Sequence, residues 1–61
     1  MKRRQLIKHL QRHGCNLLRE GRKHSWWGNP ELGTFAAVPR HTEINNITAN
    51  KICKELEIPR L

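Results

Sequence analysis

Apolar residues form two helical stripes with a β-patterned stretch between them. Leu6, Ile7 and Leu10 recur at helical spacing, with Arg3, Arg4, Lys8, Gln11 and Arg12 at the other positions, which predicts an amphipathic first helix. Gly14 is expected to end it, because a residue without a Cβ suits the left-handed conformation that commonly follows a helix. Near the other end, Ala49, Ile52, Cys53 and Leu56 fall at i, i+3, i+4 and i+7. That predicts a second helix, capped by Asn45 or Asn46 and limited by Pro59.

Between the helices, "CNLLREGRKHSWWGNPELGTFAAVPR" breaks into three short segments separated by turn chemistry. "CNLLR" reads as a strand, "EGR" as a tight hairpin, and "KHSWW" as a second strand. "GNPELG" then supplies the glycines, Asn29 and Pro30 of a longer hairpin into "TFAAVP". The expected fold is one α+β domain spanning residues 1–61, in the order α-β-β-β-α. So small a three-stranded antiparallel sheet makes a core only if both helices cover the same face, which leaves the other face open.

Strand alternation then sorts the side chains of "KHSWW": His24 and Trp26 share one face, while Lys23, Ser25 and Trp27 share the other. With Trp27 packed beneath the helices, His24 and Trp26 stand together on the open face. Lys23 points away from His24 unless the strand starts later.

Composition adds a partner to this picture. Lys and Arg number 12 against 5 acidic residues, all of them Glu, for a formal net charge of +7. Such a surface attracts polyanions, nucleic acid first because each neutralised phosphate releases counterions, and an anionic membrane second. A chain this short buries only about 60% of the surface its unfolded form exposes, so a deep metabolite pocket is not expected. The longest uninterrupted apolar run is "FAAV", and the basic start "MKRR" is soon followed by Gln5, Lys8 and His9, so neither a transmembrane helix nor a signal peptide is read. Cys15 and Cys53 form no CxxC pair. Two reduced, partly buried thiols in a cytoplasmic protein fit them better than a disulfide framework.

An aromatic ring beside an imidazole, on a basic protein, suits an unpaired base and its phosphate; single-stranded RNA is the usual target of such platforms. Imidazole, with an unperturbed pKa of about 6.5, both takes and gives a proton near neutral pH, as RNA cleavage through the 2′-hydroxyl requires. A lone strand histidine is nevertheless more often solvated than catalytic, and an exposed tryptophan also serves as a protein anchor. His9 and His13, one helical turn apart with Cys15 nearby, have a spacing open to zinc but lack a fourth ligand, so no metal is expected. The run Lys2, Arg3, Arg4 is either a solvated helix start, unfavourably placed against the helix dipole, or an RNA-contacting patch.

The chain resembles the HicA (YcfA-like) toxins of toxin–antitoxin systems nearly end to end. "KRRQLIKHLQRHG" is similar to that family's first helix and closing glycine, and "LLREGRKHSWW" to its Gly-x-x-His strand entry. "AAVPRH" resembles the segment ending its third strand, and "INNITANKICKELEIP" its last helix. The resemblance implies a double-stranded-RNA-binding-domain-like fold and a metal-independent endoribonuclease needing no cofactor, which cuts messenger RNA. It also implies silencing by a HicB-like antitoxin, with oligomers formed only through that complex. The family's catalytic histidine maps onto His24. Family members often carry Gly-Ser-His or a doubled histidine there, whereas this chain has Ser25 after the histidine, which leaves a second proton-transfer group unassigned. Lys2, Arg3, Arg4, Arg22, Lys23, Trp26, Arg40 and His41 are the candidate RNA contacts. Two rival readings are a non-catalytic RNA-binding module of the same fold and an interaction protein whose open face exists for its partner.

Overall fold

The computed structural model describes all 61 residues. Helix α1 (Arg3–Arg12) leads into strands β1 (Asn16–Glu20), β2 (His24–Asn29) and β3 (Thr34–Pro39), and helix α2 (Asn46–Leu56) follows. The sheet is antiparallel in the order β1-β2-β3, so β1 and β3 are both edge strands. The α+β order is the expected one.

The helix ends follow local chemistry. α1 closes through His13 onto Gly14, whose φ of +82° is the left-handed value that favours glycine. α2 starts where the Asn45 side chain accepts the Ile47 N–H at 2.7 Å, which settles the choice between Asn45 and Asn46. It ends at Leu56, where Glu57 takes the left-handed conformation at φ +60° as its C-cap, before Pro59 is reached. The chain ahead of α1 is tied to residues 42–44: Arg3 N–H donates to the Thr42 carbonyl and Ile44 N–H to the Met1 carbonyl, both at 2.8 Å.

Both helices pack on one face of the sheet. Leu6 and Leu10 of α1 meet Ala49, Ile52, Cys53 and Leu56 of α2 over Trp27, Ala36 and Val38. These residues, with Cys15 and Ile44, are the whole apolar core. Asn29 and Thr34 fasten the sheet to α2 by donating to the Leu56 carbonyl at 3.0 and 2.9 Å. That carbonyl, near the helix C-terminus, has no intrahelical donor of its own.

Four strand limits differ from the sequence expectation: β1 spans Asn16–Glu20 rather than Cys15–Arg19, and both ends of β2 are displaced. β2 starts at His24 rather than Lys23, and runs on through Gly28 and Asn29 instead of ending at Trp27. Asn29 stays in the strand because it pairs with Thr34 and its side chain is buried against α2. In β1 the register slips between Leu17 and Arg19, leaving Leu18 as a bulge, and the whole strand is exposed. Cys15 and Cys53 are both buried, deeper than expected, Cys53 completely, and both thiols are unpaired.

Candidate functional site

The open face of the sheet is built by alternation. Ser25, Trp27 and Asn29 point to the helices, so His24, Trp26 and Gly28 point away from them, as the sequence parity required. On β3 the same rule turns Phe35, Ala37 and Pro39 outward, opposite Gly28, Trp26 and His24. Phe35 is 61% exposed, and its ring centroid lies 6.1 Å from that of Trp26 at an interplanar angle of 56°. The bulge at Leu18 adds to this face: Leu18 lies over Gly28, whose missing Cβ makes the room, and Arg19 stands opposite Trp26.

His24 is exposed at the first position of β2. The turn before it depends on Gly21, whose N–H donates to the His24 carbonyl at 2.7 Å. A Cβ on Gly21 would sit 2.9 Å from that carbonyl oxygen, so any larger residue forces the turn or the strand start to move. The Gly-x-x-His spacing thus has a local cause, a tight loop closed by one hydrogen bond.

Beneath His24, on the helix-facing side, a polar network fixes the strand start. Ser25 donates to Glu20 Oε1 at 2.6 Å and accepts from Arg3 at 2.9 Å. Arg3 also donates through Nε to the Pro39 carbonyl at 2.8 Å, and Pro39 is the cross-strand partner of His24. Arg40 completes the ring, bonding Glu20 at 3.0 Å and the Gly21 carbonyl. The Ser25 hydroxyl, followed by the Arg40 and Arg3 guanidinium groups, holds the Glu20 carboxyl below its ordinary range.

Antiparallel geometry gathers the basic candidates at one end of the sheet, where the β1–β2 turn, the end of β3 and the start of α1 meet. Lys2, Arg3, Arg4 and Arg40 line a cleft of about 390 Å³ with Thr42 and no apolar residue. Lys2 also pairs with Glu43 at 2.7 Å, which keeps the Glu43 carboxyl low. Arg22 and Lys23 are exposed in the turn preceding His24. Because the strand starts after it, Lys23 is not bound by strand parity to the face away from His24. His41 is exposed beyond β3 and lines neither cleft.

A second cleft, of about 370 Å³, contains His24 itself. It wraps the free edge of β3, where Ala36 and Ala37 leave a notch between Phe35 and Pro39. Trp26 and Phe35 form one wall, and Thr48, Lys51, Ile52 and Glu55 of α2 form the other. Sequence reasoning missed Phe35 and the α2 residues. The parity of "TFAAVP", with Ala36 and Val38 inward, was a sufficient signal for Phe35; for the α2 wall there was none, since it depends on where α2 docks.

The remaining histidines are elsewhere. His9 Nε2 lies 2.6 Å from the Pro59 carbonyl and its ring meets His13 edge-on, while Cys15 is buried in the core. The three do not form a metal-ligand cluster. No helix is long and apolar enough to cross a membrane.

Fold and site together define a small basic α+β domain that presents a histidine and an aromatic pair on an open sheet face beside a cationic cleft. The sequence model of the family described as "HicA toxin of bacterial toxin-antitoxin" matches residues 3–58, nearly the whole chain. The chain belongs to the HicA toxin family, a membership that implies a cognate antitoxin partner in a toxin–antitoxin system. No curated protein and no solved structure matches it.

Proposed function

We propose that this toxin is an endoribonuclease that cleaves single-stranded messenger RNA at His24, and that a HicB-like antitoxin silences it by covering the open face. The supporting observation is the placement of His24. Unlike Ser25 next to it, whose hydroxyl both donates and accepts within the protein, His24 is exposed and lines the same cleft as Trp26.

In the proposed step, the His24 imidazole takes the proton of a ribose 2′-hydroxyl as O2′ attacks the adjacent phosphorus. The O2′–P bond forms and the P–O5′ bond breaks. The leaving O5′ is protonated by the imidazolium or by water, giving a 2′,3′-cyclic phosphate and a 5′-hydroxyl. Arg22 and Lys23 flank the reacting phosphate, and the cleft of Lys2, Arg3, Arg4 and Arg40 guides the phosphate chain, with His41, outside the cleft, as a further phosphate contact. Trp26 stacks a base. The reaction needs no metal ion and no cofactor.

The test is cleavage of a single-stranded RNA by the purified chain in the presence of a chelator. Products with 2′,3′-cyclic phosphate ends, and resistance of a substrate carrying 2′-deoxyribose at the cut, are expected. Binding without shortening of the RNA would favour a non-catalytic RNA-binding module, a reading supported by the lack of an assigned second proton-transfer group beside His24.

A further inference from the structure

We propose that the notch at the free edge of β3 is a nucleobase pocket, and that Lys51 and Glu55 of α2 read the base within it, favouring guanine. The proposal rests on RNA being cleaved at His24, and it adds what selects the site of the cut.

The notch places three kinds of surface around one space of about 370 Å³: the His24 imidazole, the Trp26–Phe35 aromatic pair, and a helix wall with Thr48, Lys51 and Glu55. These α2 positions are spaced three and four apart, so they share one helix face. The aromatic pair binds any base by its π face. Discrimination needs directional donors and acceptors along the base edge, and the helix wall supplies both.

Lys51 and Glu55 remain available for that task. The ion pairs in the molecule use Glu43 and Glu20, so neither Lys51 nor Glu55 is engaged in one. Lys preceding Glu by four residues is also the less favourable order for pairing along a helix. An ammonium and a carboxylate set side by side match guanine best: its N1–H and N2–H donate to a carboxylate, and its O6 accepts from an ammonium. Adenine and cytosine each give the carboxylate only one amino group, beside a ring nitrogen that accepts from the ammonium, and uracil gives it a single N–H, so guanine alone donates to the carboxylate through two adjacent N–H groups.

β3 is an edge strand, and alternate residues of it direct backbone N–H and C=O groups away from β2. An antitoxin strand could therefore pair along the same edge. The observations favour a base, because an imidazole, an aromatic pair and two unpaired charged groups converge on one short notch.

The test compares trinucleotides that differ only at one base. Binding is measured on the His24→Ala chain by NMR shift mapping, and cleavage on the His24-containing chain by kcat/KM. Tighter binding of the guanine trinucleotide is expected, with shifts at Lys51 and Glu55. Glu55→Gln and Lys51→Ala should each reduce the guanine-to-adenine ratio of kcat/KM by about tenfold. Both residues are exposed, so folding is kept. Equal binding of all four trinucleotides, or a ratio unchanged in both variants, would overturn the pocket. So would RNA leaving these residues unshifted while the antitoxin protects the β3 edge. Base-selective binding without cleavage by the His24-containing chain would uphold the pocket while refuting the nuclease reading.

Discussion

Arg3 donates to the Ser25 hydroxyl at 2.9 Å, joining the first turn of α1 to the residue that follows His24 in β2. Ser25 is buried, and it passes the contact on to Glu20. Ser25→Ala removes the hydroxyl between a guanidinium and a carboxylate, leaving Arg3 with the Pro39 carbonyl and the exposed Glu20 with Arg40. The expected cost is about 0.5–1.5 kcal/mol of stability, read by urea unfolding, the net worth of a hydrogen bond whose partners keep other contacts. Stability unchanged within error would show that the network contributes nothing.

The same network has a pH signature. Glu20 is held below its ordinary range when folded, so its contribution is fully present above the unfolded carboxylate pKa and is lost as pH falls through the folded one. Thermal stability should therefore decline on the acid side, and Glu20→Gln should flatten that decline. A thermal unfolding series through the acid range, wild type against variant, checks the slope.

Gly21 is expected to control activity through geometry alone. Gly21→Ala drives a Cβ against the His24 carbonyl oxygen and displaces the strand start. The chain should still fold and bind RNA, yet kcat should fall by about tenfold or more with KM little changed, since a small misplacement of a reacting group is costly. Single-turnover cleavage kinetics separate the two parameters.

Trp26 gives a binding prediction. On a His24→Ala background, Trp26→Ala should weaken single-stranded RNA affinity by about 1–3 kcal/mol, and Trp26→Phe by less. Fluorescence anisotropy of a labelled oligonucleotide provides the measurement.

Burial raises the pKa of both thiols, and the neighbouring Cys53 raises that of Cys15 further. Both should resist alkylation in the native protein and react once it is unfolded in denaturant. Mass spectrometry of the alkylated chain distinguishes the two states.

Much of this was legible in the sequence because periodicity is a local property. The alternation in "KHSWW" divided Trp26 from Trp27 correctly, leaving Trp27 7% exposed among the core residues. The Asn45 cap and the closing Gly14 could be read because each acts within a few residues of its position. The strand limits around Lys23 and Asn29 could not, since they depend on cross-strand pairing and on the Leu56 carbonyl 27 residues away. The Arg3 network was equally hidden. Charge alone points Arg3 at RNA, whereas its guanidinium ties α1 to β2 and β3. The α2 wall of the notch exists only once the helix has docked beside β3.

The most direct measurement is RNA cleavage by wild type and His24→Ala side by side, in the presence of a chelator, with circular dichroism and antitoxin binding recorded for both. The variant is expected to fold and bind the antitoxin as wild type does, and to lose cleavage by at least about a hundredfold, the lower range for a general acid–base group. Cleavage by His24→Ala at the wild-type rate would contradict the assignment of His24 as the catalytic residue.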